Sequence, residues 1–402
     1  MKINRQKKLI YWPLLSLFLL AGCNSNTVLK KEVHVKNTLD FNRISETVSI
    51  PMTKLKDLTA KYSPKDLLVL DPSSGNYLVR QLIDENQDGQ PDELLFQVSI
   101  KANEEKTYQI IGRENGAEEQ PHSKYTTFSR FVPERIDDYA WENDKVAFRT
   151  FGPKAQQLTE EHKPGGTLTS GIDLWFKRVK YPIIDEWYAG AVDSVDYYNV
   201  DRGEGCDAYH VGSSRGDGGI GVWQDDSLHV SKNFVSYKTI ARGPIRALFE
   251  LTYAPWSEYR IHETKRISLD LGSNFSKFVV SLKPEKPVPN ITIGISMHER
   301  KGEVKLEPKE GWFRQWEKGA DSFVGEGVVV NSARVDSAFT HISPTPDQSQ
   351  IMVVTQPNDS VLTYYAGFAW VKSGQVKSVE GWDAMLQKQA ERILHPLEVT
   401  IQ

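Results

Sequence analysis

Apolar and polar residues alternate over short runs through most of this chain, and turn residues break the runs. Within residues 40–115 the clearest runs are Val48-Ser-Ile-Pro, Leu67-Leu-Val-Leu-Asp-Pro and Leu94-Leu-Phe-Gln-Val-Ser-Ile. They predict a small β-sandwich of immunoglobulin-like size. The polar stretch 114–126, with Glu114, Gly116, Glu118, Glu119, Pro121 and His122, reads as a linker. Residues 127–402 form the larger part. There Ile245-Arg-Ala-Leu-Phe-Glu-Leu-Thr-Tyr and Tyr259-Arg-Ile-His-Glu-Thr-Lys-Arg-Ile keep period two, and Gly272-Ser-Asn turns the second run into Phe275-Ser-Lys-Phe-Val-Val-Ser-Leu. One face of the second run carries Arg260, His262, Thr264 and Arg266, and the other carries Ile261, Glu263, Lys265, Ile267 and Leu269. The first face is either the polar wall of a sugar cleft or a solvated sheet face. Helical spacing is persuasive only near the C-terminus, where Trp382, Met385, Leu386, Ile393 and Leu394 share a face and Pro396 ends the run. The pattern predicts an all-β fold of two stacked sheets with a late helix.

Composition narrows the function. The 402 residues are 39% hydrophobic and 25% charged, which excludes a disordered chain, a collagen and a multi-pass membrane protein. Lys and Arg number 49 against 53 Asp and Glu, so no basic excess exists to neutralise phosphates and no nucleic-acid partner is expected. Ten Trp, 16 Tyr and 16 Phe fit a β-rich protein that handles sugars, although aromatics also fill cores.

Lys2, Arg5, Lys7 and Lys8 precede an apolar run from Leu9 to Leu20, and Leu20-Ala21-Gly22-Cys23 resembles a bacterial lipobox. The run is too short to span a bilayer comfortably and reads as a signal segment. The expectation is a signal peptide over 1–22, lipidation at Cys23 and a flexible tether over 23–39. The protein is then lipid-anchored at the outer membrane, facing the periplasm or the cell surface. With Cys23 acylated, Cys206 has no intramolecular partner.

Three segments carry candidate chemistry. Asp84, Asn86 and Asp88 stand two apart before Gly89, with Asp92 beyond, and this resembles a calcium loop. It departs from the EF-hand because Leu95 holds the twelfth position, so a structural Ca2+ or a plain acidic turn is expected. The segment from Asp137 to Pro153 offers Trp141, Glu142 and Asp144 as substrate contacts, alongside His262 and Arg266 of the polar strand face. Seven glycines fall between Gly203 and Gly221, which predicts an irregular loop able to approach a ligand, projecting Tyr209, His210 and Arg215. His298 and Glu299 are neighbours that point to opposite faces of a strand, leaving His298 alone as a catalytic candidate.

Phe131-Val-Pro-Glu-Arg-Ile-Asp-Asp-Tyr-Ala-Trp-Glu-Asn-Asp, the Tyr-Pro-Ile-Ile-Asp-Glu-Trp-Tyr ending at Tyr188, Gly203-Glu-Gly-Cys-Asp-Ala-Tyr-His and Ala241-Arg-Gly-Pro-Ile-Arg together resemble one family. It comprises Bacteroidota lipoproteins and secreted proteins, long known only as a domain of unknown function and encoded beside polysaccharide-degrading enzymes. The resemblance extends over nearly the whole mature chain. Its best-understood type is the oligosaccharide dehydratase of ulvan breakdown. The resemblance implies a mutarotase-like β-supersandwich and a hydro-lyase that removes water from a non-reducing-end uronic acid, leaving a 4,5-unsaturated uronyl residue. No organic cofactor is implied. The residue types suit that chemistry. Arg215 is expected to neutralise the uronate carboxylate, His210 to take the C5 proton, and Tyr209 or another Tyr or His to protonate the departing hydroxyl. The alternatives are a polysaccharide lyase using the same β-elimination, or a non-catalytic lipoprotein that binds sugar.

Overall fold

The computed structural model describes residues 1, 29–194, 196–345, 347–357 and 359–402. The lipobox and Cys23 lie outside the described residues. Valines and isoleucines at every second position build the small sandwich. Strand Lys30–Lys36 runs antiparallel to Glu105–Gly112 on one side and to the C-terminal strand Glu398–Ile401 on the other. Leu67–Asp71 and Asn76–Leu78 complete that sheet of five. A three-stranded sheet of Arg43–Pro51, Glu93–Ile100 and Arg80–Ile83 faces it. Val33, Val35, Val48, Ile50, Val69, Leu94, Phe96 and Ile110 fill the space between. The expected tether over 23–39 is therefore corrected over Lys30–Lys36: Val33 and Val35 are fully buried, and alternation binds this segment into the sheet. The chain's last strand returns to the same sheet, so the small sandwich is closed by both ends of the described chain.

The larger part is built from three sheets. Eight antiparallel strands, from Phe234–Arg242 at one edge to Glu303–Glu307 at the other, form the largest. Two sheets of five strands complete it. One runs from Gly205–Cys206 through Asp173–Lys177, Ala147–Thr150 and Asp138–Glu142 to Phe128–Val132. The other places Asp217–Gln224 and Ile291–Ser296 beside Gln350–Thr355. One apolar core joins all three, with Tyr139 stacked on Phe249, Trp141 tilted against the same ring and Phe148 edge-on to Phe368. The fold is all-β, as the alternation predicts, with the C-terminal helix in place at Val379–Leu394. Ser378 caps that helix by accepting from the Gly381 N–H, and Trp382, Leu386 and Ala390 pack on Trp312 and Val329 of the largest sheet.

Two helices depart from the sequence reading. Pro153–Glu160 has proline in its first turn, and Ile184–Asp193 buries Ile184, Trp187 and Tyr188 at helical spacing. The glycine-rich segment also holds more regular structure than its composition suggests. Gly205–Cys206 and Asp217–Gln224 are strands, and the irregular loop narrows to the residues between them. Among the described residues, no helix is long and apolar enough to cross a membrane.

Candidate active site

The short loop between those two strands forms one wall of a pocket of about 530 Å3. Tyr209, His210, Gly212 and Ser213 line it, facing Arg135, Arg149, Phe151 and Asp173. Gly212 has φ +53°, and a Cβ there would fall 1.9 Å from Asp347 Oδ2 and 2.9 Å from His210 Nε2. Only glycine lets the chain pass behind the pair these two make. Asp347 Oδ2 lies 3.2 Å from His210 Nε2, and the imidazole is otherwise open to solvent. By accepting the Nε2 proton, Asp347 leaves the imidazole lone pair on Nδ1.

Beside the loop lies a buried charge cluster, to which the loop itself contributes Asp207. Arg149 donates from Nε to Asp173 Oδ2 at 2.7 Å and from Nη2 to Asp207 Oδ2 at 2.8 Å, and Asp138 stands 3.7 Å away. Tyr198 accepts from Arg135 Nε at 3.2 Å and from Arg149 Nη1 at 3.4 Å. Burial dominates the carboxyls. It pushes Asp138 up to about 6, and Asp207, with the Asp173 charge beside it, up to about 8. Asp173 is raised for the same reason. Raised together beside one guanidinium, Asp173 and Asp207 are placed to hold a proton between them. Arg135 is the half-buried cation of the group, and among the described residues no carboxylate lies within ion-pair distance of it.

Behind Tyr209 lies a second polar cluster. Its hydroxyl donates to Glu326 Oε2 at 2.9 Å, and its ring meets His298 edge-on at 4.6 Å. His298 Nδ1 is 2.5 Å from Glu317 Oε1, and Nε2 is 2.8 Å from the carbonyl oxygen of His210. Burial lowers the His298 pKa, but the Glu317 carboxylate outweighs it and the net direction is upward. Glu326 is driven well above the usual carboxylate range, chiefly by burial, and Tyr209 well above 10 for the same reason.

The structure brings Tyr209, His210 and His298 together and places the other expected site residues elsewhere. Arg215 is corrected to a core residue: it is 1% exposed, donates to Ser170 Oγ at 2.8 Å and to Thr169 Oγ1 at 3.1 Å, and burial lowers its pKa to about 10. Trp141 is fully buried and donates to Ser276 Oγ. Glu142 is fully buried, bonded to Lys177 Nζ at 2.5 Å and to the N–H groups of Ile183 and Ile184. Neither reaches the pocket, because their strand is covered on both faces. Asp144 accepts from the Gly272 N–H and borders a different cavity of about 660 Å3, between the small sandwich, the largest sheet and the C-terminal helix. That cavity is larger, yet it holds no imidazole, and its Arg246 and Asp270 are already paired. His262 is exposed near Glu285, and Arg266 pairs with Glu85 and Glu250, tying the large sheet to the small sandwich. The polar strand face is therefore a solvated and docking face.

In the acidic loop, Asp84 accepts from the N–H groups of Gln87 and Gly89, Asp88 from that of Gln90, and Asp92 from that of Glu85. These bonds close the turn.

Sequence reasoning missed Arg135, Arg149, Asp173, Asp207, Glu317, Glu326 and Asp347. A signal for Arg149 and Asp173 was present, since each charge adjoins large apolar residues, Phe148 in Ala147–Thr150 and Leu174-Trp175-Phe176 in Asp173–Lys177.

These features define an all-β sandwich protein with an imidazole–carboxylate pair facing a guanidinium–carboxylate cluster across a pocket. The family model described as "Domain of unknown function (DUF4861)" matches residues 35–399, and the chain belongs to that family. A Formosa agariphila protein named "Uncharacterized protein P7" is 41% identical over 387 residues, covering 96% of each chain. Two solved Enterococcus faecalis structures are also similar. One is a protein in glycosyl hydrolase family 38, with 9% identity, TM-score 0.47, and coverage of 93% of this chain and 47% of that one. The other is an α-mannosidase, with 8% identity, TM-score 0.49, and coverage of 93% and 46%. The chain spans about half the length of these two structures.

Proposed function

We propose that the protein is a hydro-lyase, an oligosaccharide dehydratase acting on a non-reducing-end uronic acid of the ulvan type. The observation that carries this reading is Arg135, a half-buried cation in the pocket that His210 lines, with no carboxylate in ion-pair contact among the described residues and the charge of Asp138 further off. Removing a proton α to a carboxylate requires that the carboxylate charge be neutralised as the carbanion character develops. Arg135 supplies that charge. His210 Nδ1 takes the C5 proton, with Asp347 holding its tautomer. The C5–H electrons form the C4=C5 double bond. The C4 hydroxyl leaves as water, with the proton that Asp173 shares with Asp207 around Arg149. Tyr209 shapes the wall between the pocket and Glu326. The volume falls in the small-ligand range, which suits a chain end. Lipidation at Cys23, attachment at the outer membrane and an anionic oligosaccharide as partner belong to the same reading.

The test is incubation with defined uronate-ended oligosaccharides. The expected product gains the ultraviolet absorbance of a conjugated double bond and loses the mass of one water without chain cleavage. His210→Ala and Arg135→Ala should each lower kcat/KM by roughly a hundredfold or more, with unchanged melting for His210→Ala, whose side chain is mostly exposed. Cleavage into two sugars would replace this reading by a lyase. Binding with no new absorbance would replace it by a sugar-binding protein.

A further inference from the structure

His298, Glu317 and Glu326 present three acceptor atoms that all lie within 4.8 Å of one another. Their positions come from different elements. Glu317 and Glu326 sit on the paired strands Trp312–Gly319 and Ser322–Val330, where Glu317 faces Val324 and Glu326 is its diagonal neighbour. His298 follows strand Ile291–Ser296. The carbonyl of His210 can only accept, so the 2.8 Å contact fixes the proton on His298 Nε2. Nδ1 faces Glu317 Oε1, 2.5 Å away, and an approach that close puts a positive centre, a proton or a cation, between the two. Beside them Glu326 is fully buried, and its Oε1 has no hydrogen-bond partner. An unpaired buried carboxylate oxygen is costly, and this one belongs to the same trio.

We propose that His298 Nδ1, Glu317 and Glu326 bind a divalent transition-metal ion of the zinc or manganese type. One imidazole with two carboxylates is a zinc-type donor set, short of the six or more oxygens that calcium prefers. The backbone carbonyl on the far ring nitrogen is the outer-shell partner that a metal-bound histidine usually has. Binding moves Nδ1 and Glu317 Oε1 apart to roughly 3.3 Å, the spacing of two ligands on a tetrahedral ion. A dication there opposes the Glu326 charge beside the Tyr209 hydroxyl, one residue from the pocket's imidazole.

The proposal does not depend on the reaction assigned above, because its test uses no substrate. Elemental analysis of full-length protein purified without chelator should find on the order of one zinc or manganese per chain. Chelator-treated protein should bind added Zn2+ or Mn2+ in calorimetry and melt at a higher temperature with it. Glu326→Gln keeps the side-chain shape and an acceptor for Tyr209, and should weaken the metal by roughly a hundredfold. Asp84→Asn, in the acidic loop, should leave this binding unchanged. Wild-type protein with no metal and no calorimetric response to either ion would overturn the proposal, and so would full metal content in Glu326→Gln. In those cases a shared proton is the positive centre.

Discussion

Glu142 separates a structural from a substrate-binding role for the segment that most attracts attention in the sequence. Its carboxylate lies at the end of strand Asp138–Glu142 and takes Lys177 Nζ at 2.5 Å, with both side chains fully buried. It also accepts the N–H groups of Ile183 and Ile184 at 2.9 Å, at the start of helix Ile184–Asp193, where such donors have no partner inside the helix. Glu142→Ala strands a buried ammonium, held then only by the Asn143 carbonyl at 2.7 Å, and leaves those amides without their acceptor. Breaking a buried pair costs about 3–5 kcal/mol, and unmatched buried donors about 1–3 kcal/mol more. These terms overlap, so the expected loss is about 4–6 kcal/mol, a large share of a typical domain's stability. For a chain of this size that lowers Tm by roughly 5–10 °C. Glu142→Gln combined with Lys177→Met removes both charges and keeps an acceptor for the helix. It should recover most of the loss, because the penalty lies in the unpaired charge. Denaturant and thermal unfolding of wild type, Glu142→Ala and the double variant are the assay. A Glu142→Ala protein that melts like wild type but no longer binds uronate oligosaccharide would refute the structural assignment.

The remaining expectations concern charge, thiol and cation. Asp138 and Asp207 hold protons in the fold up to about 6 and about 8, whereas an unfolded Asp releases its proton near 4. The native state therefore binds more protons in that window, so stability falls as pH rises through it. Tm should decline from about pH 5 to about pH 8 and level off above, and Asp207→Asn should flatten the part above about pH 6; a flat wild-type curve would count against the shared proton. Burial raises the Cys206 thiol to about 11, so it should resist alkylation in the native protein and react on unfolding, as mass spectrometry reads directly. If the acidic loop binds Ca2+, Tm should rise with added calcium as RT ln(1 + [L]/Kd), and Asp84→Asn should abolish the rise. Identical melting curves in calcium and in chelator would leave the loop as a turn closed by its own carboxylates.

Much of the fold was legible because period-two alternation reports burial on one face. Val48-Ser-Ile and Ile267-Ser-Leu each put their apolar residues into a core. Alternation fails where both faces are covered. All five residues of Asp138–Glu142 are buried, so Trp141 and Glu142 looked like surface chemistry when they are interior packing and an interior ion pair. The missed strand Lys30–Lys36 has the opposite difficulty. Its lysines and glutamate are polar enough to read as a tether, and its place depends on pairing with a strand as distant in sequence as Lys30 is from Ile111. Helix Ile184–Asp193 was hidden because its apolar residues serve a local aromatic cluster around Trp175.

The site was legible in its loop and illegible in its walls. Glycine density marked the loop, since backbone that must pass close to a side chain excludes a Cβ, as Gly212 does beside His210 and Asp347. It could not rank the side chains within the loop. Tyr209 and His210 reach the pocket, while Arg215, five residues on, enters the interior and bonds Thr169 and Ser170. Asp138, Arg149 and Asp173 come from strands that read as core, while Asp207 opens the loop itself and Arg135 ends the turn Pro133–Arg135. A guanidinium held among three buried carboxyls needs a rigid surround, and strands supply it better than loops. The same logic accounts for Glu317 and Glu326 on one hairpin beneath Tyr209. Each was passed over as an ordinary strand glutamate, although Glu326 stands in Val324-Gly-Glu-Gly-Val-Val-Val, an apolar run with one acid. A lone charge in a run that otherwise has every mark of the interior must be neutralised by a partner, a proton or a cation. Around His210 the structure offers two such places: the carboxyls that surround Arg149, where the guanidinium holds Asp173 and Asp207 and Asp138 Oδ1 stays without a partner, and the trio behind Tyr209, where Glu326 Oε1 does too and, among the described residues, no guanidinium stands by.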